Sequence, residues 1–295
     1  MAGRTRIRVA RIVLAVLAAS LCVTTPFFGF LALSPPDHGL EFRAAALRGV
    51  AASLAAGLGG PGAPPAFAFL EVPPMCAEDK RAIFRMGLGL ILVWIALGGT
   101  LMWLVRKRFV ALMARVKIHW AVKFVLLCIA MALLEEAVTT SLTNLGPSFG
   151  AVTDAAHCTA SKNYFKVVCT NSVIIFVPQF MCWAFLLWFL DFAPVEVMLL
   201  YGLTGWIMEG LHSGPGNWLA VGMWTYVYGL MVWLPACTVP ADRRTWRASA
   251  GRTLWPVRWW VWPLGTLSGL SLAILFAIPM IPLILFFNWL LADVP

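Results

Sequence analysis

Residues 119–144 read HWAVKFVLLCIAMALLEEAVTTSLTN, and the character of the whole chain turns on that stretch. From Phe124 to Leu134 it is unbroken apolar sequence. With its flanks it is long enough to cross a bilayer, for which about 20 mostly apolar residues suffice. It nevertheless carries Lys123, Glu135 and Glu136. The rest of the 295 residues has the same bias, with 61% hydrophobic and 12% charged, where soluble domains hold roughly 45–50% and 25%. Mean hydropathy is +0.85, with 15 tryptophans. Such a composition excludes disordered, collagenous, coiled-coil and disulfide-rich secreted chains. It describes an integral membrane protein, an all-α polytopic transmembrane bundle.

Six more stretches meet or approach the same length criterion, at 12–34, 86–105, 167–190, 194–211, 217–238 and 264–291. About seven spans are therefore expected in a single membrane domain covering 1–295. Pro263, Pro279 and Pro282 set the start of the last span and kink it. Four arginines, Arg4 to Arg11, precede the first run as in a signal peptide. That run continues through Phe27, Phe28 and Phe30 with no A-x-A site at its end, and Leu21 before Cys22 is too large for lipoprotein cleavage. It reads as a retained span. Between the first two spans, 35–85 is an extracytoplasmic Ala/Gly/Pro-rich loop, interrupted by Gly59-Gly60-Pro61-Gly62 and Pro64-Pro65. Its part from Phe42 to Leu58 reads equally well as flexible chain or as an amphipathic helix on the membrane surface.

The net charge of +9 is first of all a topology signal. With the N-terminus in the cytoplasm, fifteen of the 22 Lys and Arg fall on the inner side and seven outside. No nucleic-acid partner is inferred; the partner is the lipid bilayer of the cell membrane. Cys22, Cys128, Cys182 and Cys237 belong to spans, where a thiol acts as a small hydrophobe. Cys76, Cys158 and Cys169 lie outside, where at most one disulfide forms, Cys158–Cys169 being the first choice. His157-Cys158 with Cys169 lacks metal-ligand spacing, and no cofactor or metal is expected.

Ten of the thirteen acids lie at the two membrane faces. The other three, Glu135, Glu136 and Glu209, sit inside spans, where an ionisable group costs several kcal/mol and usually has work to do. At 1.5 Å per residue, Glu136 lies roughly 25 Å and Glu209 roughly 22 Å from the inner boundary. Both fall in the outer leaflet at similar depth. His212 follows Glu209 by three positions on the same helical face. Tyr226 and Tyr228 descend to comparable depth on the next span. Glu136, Thr140 and Asn144 form a polar stripe, with Glu135 and Thr139 beside it. Gly202 and Gly205 allow a close helix approach near Glu209. Asn171 and Gln179 are possible partners from the fourth span. Each feature has a plainer reading: a glutamate near a helix end reaches interfacial water, His212 and Asn217 belong to a turn, and the tryptophans form an interface belt.

The Glu135-Glu136 pair late in a span, followed by Gly202-Leu203-Thr204-Gly205-Trp206-Ile207-Met208-Glu209, resembles the glutamate-dependent intramembrane proteases. These are the CAAX-protease-and-bacteriocin-processing family and its PrsW-type relatives. The resemblance covers about Leu133 to Leu230. It implies a membrane-embedded peptidase, a hydrolase, acting on a membrane-anchored protein on the extracytoplasmic side. Its catalytic residues would be Glu135, Glu136, Glu209, His212 and Asn217. In that family a basic residue follows the glutamate pair within five positions; here those positions hold Thr139 and Thr140. The family's late His–Asn or His–Asp spacing is also absent, which leaves a catalytically degenerate relative open.

In the implied chemistry the paired carboxylates share one proton. The ionised member activates water, His212 assists or protonates the leaving amine, and Asn217, Asn171 or a phenol stabilises the oxyanion. Without a Gly-x-Ser-x-Gly, a His-Glu-x-x-His or a phosphate loop, serine, zincin and ATP-driven mechanisms have no support. The residues also leave open a non-enzymatic multi-pass protein, either a structural or assembly partner or a proton-coupled transporter. The charge count makes one prediction independent of that choice. A cysteine introduced at Ser249 should resist an impermeant thiol reagent in intact cells, and ready labelling would invert the topology.

Overall fold

The computed structural model describes residues 2–33, 76–154, 156–212 and 215–250, with positions 262, 263, 265, 266, 282, 286, 287 and 290 beyond them. Among the described residues there is no strand, and the chain is a helical bundle. In chain order the helices are α1 (Ala2–Leu33), α2 (Ala77–Met113), α3 (Trp120–Asn144), α4 (Tyr164–Asn171), α5 (Val173–Phe189), α6 (Pro194–His212) and α7 (Val221–Ala250). Two stretches, Ala77–Met113 and Asn217–Pro240, are long and apolar enough to cross a membrane, and α4 with α5 makes a third if the bent pair is one span. The span expected at 264–291 lies almost wholly outside the described residues, as does 34–75 of the expected outer loop.

The differences from the expected elements have local causes. Residues 77–85, read as loop, are the first turns of α2, with Glu78 and Asp79 placed where a helix N-terminus favours acids. At 37 residues α2 extends well past the 86–105 expected, and Ile91–Gly98 within it is wound as π-helix. The stretch 167–190 is not one helix. α4 and α5 meet at Ser172 with a bend of 46°. The polar run Thr170-Asn171-Ser172 offers its backbone competing partners, for the Thr170 hydroxyl lies 2.6 Å from the Lys166 carbonyl and that of Ser172 3.3 Å from Val167. α7 runs on through Pro235 and Pro240 to Ala250, so 243–250 is helix where loop was expected.

The core is shared by α3, α5, α6 and α7 and includes Phe124, Phe180, Trp183, Leu187, Tyr201 and Met231. Leu92, Leu97, Trp103 and Leu104 of α2 stay exposed, as suits a face turned to lipid. Outer helices are tied in by polar side chains: Tyr226 donates to the Leu14 carbonyl at 2.8 Å and Trp94 to Val227 at 3.1 Å.

One end of the bundle gathers Arg6 against Glu196 at 3.7 Å and Arg243 against Asp191 at 2.6 Å. Arg243 also donates to the Leu187 and Leu190 carbonyls, closing the C-terminus of α5. Nearby, Lys123 donates to the Met113 carbonyl at 2.7 Å and closes α2. At the other end Asp79 accepts from the Val152 amide at 2.8 Å, and Arg85 donates to the Phe149 carbonyl at 2.8 Å. Gly150, at φ 92°, turns the chain there in a conformation that side chains disfavour, and a Cβ would stand 2.9 Å from the Arg85 guanidinium.

α6 and α7 make the closest approach. A Cβ at Gly205 would lie 2.1 Å from the Tyr228 ring, and one at Gly202 2.1 Å from the Thr225 carbonyl. Gly205→Ala should therefore destabilise by about 1–3 kcal/mol through overpacking. Gly87→Ala, which meets nothing within 4 Å, should be stabilising by roughly 0.5–1 kcal/mol through helix propensity. Unfolding in detergent measures both; equal midpoints for the two variants would refute the close approach.

Candidate functional site

On α3 the glutamates share one buried face with three threonines, Thr139, Thr140 and Thr143. The Thr139 hydroxyl lies 3.3 Å from Glu136 Oε2 and 3.2 Å from the carbonyls of Glu135 and Glu136. From the break between α4 and α5 the Ser172 hydroxyl reaches Glu136. α6 contributes Glu209, which accepts a short hydrogen bond from the Tyr228 hydroxyl of α7. Glu209 is near enough for its charge to act on both Glu135 and Glu136, and Tyr228 feels all three carboxylates. Gly205 makes this possible, since it lets the Tyr228 ring lie flush with α6 one turn before Glu209. Among the described residues, no Lys or Arg pairs with Glu135 or Glu136.

Of the expected site residues, the structure thus brings Glu135, Glu136 and Glu209 together. Tyr228 joins them and Tyr226 does not, because its hydroxyl is spent on Leu14. The Asn217 amide oxygen accepts from Trp224 at 3.0 Å, so it orients an indole. His212 ends α6, and its side chain lies outside the described residues. Asn171 is exposed and donates to Thr170 at 2.8 Å. The Cys158–Cys169 disulfide does not form; both are free thiols. Cys158 is turned inward toward Glu135, its amide held by the Thr143 hydroxyl at 3.0 Å, while Cys169 sits in the turns of α4.

Three participants escaped the sequence reading. Ser172 enters only because the helix breaks beside it. Tyr201 is fully buried, lies within reach of the Glu135 charge, and has a hydroxyl without a hydrogen-bond partner. Its spacing was a usable signal, for Tyr201, Gly205 and Glu209 fall on one face at i, i+4 and i+8. Tyr164 donates to the Leu133 carbonyl at 3.0 Å, next to Glu136. A cluster of carboxylates and hydroxyls of this kind can hold and move protons, accept hydrogen bonds from a polar ligand and, through its phenols, donate to one. No protein-family model matches the chain, and no characterised protein or solved structure is found to be similar to it.

The loop after α3 is anchored on Asp79, which precedes the apolar part of α2. The Thr153 hydroxyl above all, then the Val152 amide, holds the Asp79 carboxyl down to about 2. A carboxyl lowered on folding adds stability above its unfolded value, near 3.9, and loses it as pH falls toward its folded value. The hold on residues 152–153 should accordingly weaken between about pH 4 and pH 2. Asp79→Asn should weaken it already at neutral pH and flatten that acid dependence. Amide hydrogen exchange of residues 150–160 is the measurement, and identical protection in both proteins would refute the anchor.

Proposed function

We propose that this is a multi-pass protein of the cell membrane, with seven spans and a cytoplasmic N-terminus, whose glutamate cluster is the centre of a membrane-embedded peptidase. The observation that carries the reading is the convergence of Glu135 and Glu136 of α3 with Glu209 of α6 and Tyr228 of α7. Two buried carboxylates with a third half-buried beside them are costly to keep at bilayer depth for packing alone. The resemblance of Glu135-Glu136 and Gly202–Glu209 to the glutamate intramembrane proteases gives that cost a purpose.

In this reading an ionised glutamate takes a proton from water as the oxygen attacks the scissile carbonyl. Tyr228, or the hydroxyl of Tyr201, donates to the oxyanion. The protonated carboxyl then returns its proton to the leaving amine. The substrate is a membrane-anchored protein cut on the extracytoplasmic side. Thr140 stands where the family carries a basic residue, and its hydroxyl is buried without a partner. Turnover is therefore slow, and a degenerate, non-cleaving relative is the limit of that trend. The break at Ser172 favours a second reading, a proton-coupled carrier, because interrupted helices beside carboxylates form ion sites in transporters.

Replacing Glu135 or Glu136 by Gln preserves shape and removes the base. Cleavage should fall by about 10²–10⁴-fold or more, with melting little changed. Sequencing the N-termini of membrane proteins from cells expressing the parent or Glu136→Gln should reveal termini made only by the parent. Identical sets would refute the peptidase, and a loss of pH-dependent flux in the Gln variant would favour the carrier.

A further inference from the structure

At the end of the bundle opposite Arg6 and Arg243 lies a crevice of about 310 Å³, lined among others by Thr143, Gly146, Ala151, Val152, Asp154 and Lys162. Its volume is at the small end of the roughly 300–1,000 Å³ usual for ligand clefts. Thr143 belongs both to the crevice and to the polar face of α3. Its hydroxyl is 3.1 Å from the Thr139 carbonyl, and the Thr139 hydroxyl is 3.3 Å from Glu136. Seven residues of helix, about 10 Å, separate Thr143 from Glu136.

The strap 156–162 forms the partition. Ala156 and Lys162 line the crevice, and Cys158 between them is half-buried, its amide held by Thr143 of the polar face of α3. The strap hangs on α3 by few bonds: the Cys158 amide to Thr143 at 3.0 Å, the Thr159 and Thr143 hydroxyls at 3.2 Å, and Asn144 to the Lys162 carbonyl at 3.0 Å. Behind it, the hydroxyls of Tyr201 and Thr140 are buried and unpartnered, so the cluster retains hydrogen-bonding capacity for a polar ligand. The walls combine hydroxyls, small residues and the Lys162–Asp154 ion pair at 2.5 Å. Such a lining suits a peptide backbone rather than an acyl chain.

We propose that this crevice is the mouth of the glutamate site, through which water and an extended extracytoplasmic segment of a membrane-anchored polypeptide reach Glu135 and Glu136 when the strap moves aside. The proposal rests on the glutamates being the working site. It makes the approach aqueous, not lateral from lipid.

Two carbodiimides test it on the full-length protein in detergent, a quaternary-ammonium water-soluble one and the lipid-soluble dicyclohexylcarbodiimide, with adducts on Glu135 and Glu136 read by peptide mass spectrometry. Val152 is 65% exposed, so Val152→Trp can fill the crevice at little cost to the fold. It should slow the water-soluble reagent at least tenfold and leave the lipid-soluble one unchanged. Val152→Cys, plugged with a bulky maleimide after folding and with Cys76, Cys158 and Cys169 replaced by Ala, should do the same. An unchanged water-soluble rate in either plugged protein, or labelling by the lipid-soluble reagent alone, overturns the proposal. In cells, termini lost in Glu136→Gln but kept in Val152→Trp overturn the mouth and spare the peptidase. If the parent makes no termini while plugging still blocks the water-soluble reagent, the peptidase falls and the aqueous mouth stands.

Discussion

A buried carboxylate must find hydrogen-bonding partners, and Glu135 and Glu136 impose that requirement on the helices around α3. Glu135 and Glu136 sit on α3 with more than a turn of helix still to run before its C-terminus. Left facing lipid, each would cost several kcal/mol. α5 and α7 pack against α3, and Ser172, Thr139 and Tyr228 supply hydroxyls where a hydrocarbon wall would leave the oxygens bare. A third carboxylate, Glu209, half-buried beside them, adds like-charge repulsion rather than relief. Packing economy does not explain that choice.

Enclosure in turn dictates the helix contacts. The α6–α7 approach is so close that side chains at Gly202 and Gly205 would collide with Thr225 and Tyr228. Such proximity suits a medium without a hydrophobic drive between helices, where dispersion and hydrogen bonds must hold the pair. It also places the Tyr228 hydroxyl on Glu209 with little freedom, since the ring is flanked by Phe176 edge-on at 5.7 Å and by Trp224 at 6.0 Å. The substituent that polarises the site is therefore fixed by the same glycines that fix the fold.

What was legible in the sequence divides along a physical line. Long apolar runs between charges define helices wherever they occur, so 119–144 became Trp120–Asn144 and 194–211 became Pro194–His212. Matching depths on two such helices put Glu136 and Glu209 at one level, and in the structure the two are within electrostatic reach. Periodicity says nothing about a break made by hydroxyls that bond backward to carbonyls, and so Ser172 was hidden inside an apparent span. Nor does it separate Tyr226 from Tyr228, which differ only in which neighbour each helix face meets. Glu196 was counted as a cytoplasmic acid, yet it is fully buried, held by Arg6, by Trp262 and by the Ala193 amide at 2.8 Å. That last bond is half of a capping box, with the glutamate reaching back over the first turn of α6. Sequence spacing contained it, but membrane-face counting, which treats every flanking charge as solvated, concealed it.

The two ends of the bundle are built to different standards, and the difference bears on mechanism. At the Arg6–Arg243 end, buried guanidiniums lock helix termini directly: Arg243 joins α7 to the C-terminus of α5 and to Asp191, and Arg6 joins α1 to the start of α6. Truncating either partner of the buried Arg6–Glu196 pair strands a charge, so that joint resists opening. At the other end lies the loop after α3. Its ties are mostly hydroxyl and amide bonds at the rim, apart from the Asp79 and Arg85 anchors, and the ion pair of Lys162 with Asp154 is largely exposed. An exposed pair of this sort contributes little. Any motion that uncovers the cluster thus costs least on the side where Cys158, Thr143 and Thr159 meet, and most on the side of the arginines. The buried ties thus gather at the Arg6–Arg243 end, and the lighter ones where 156–162 meets α3.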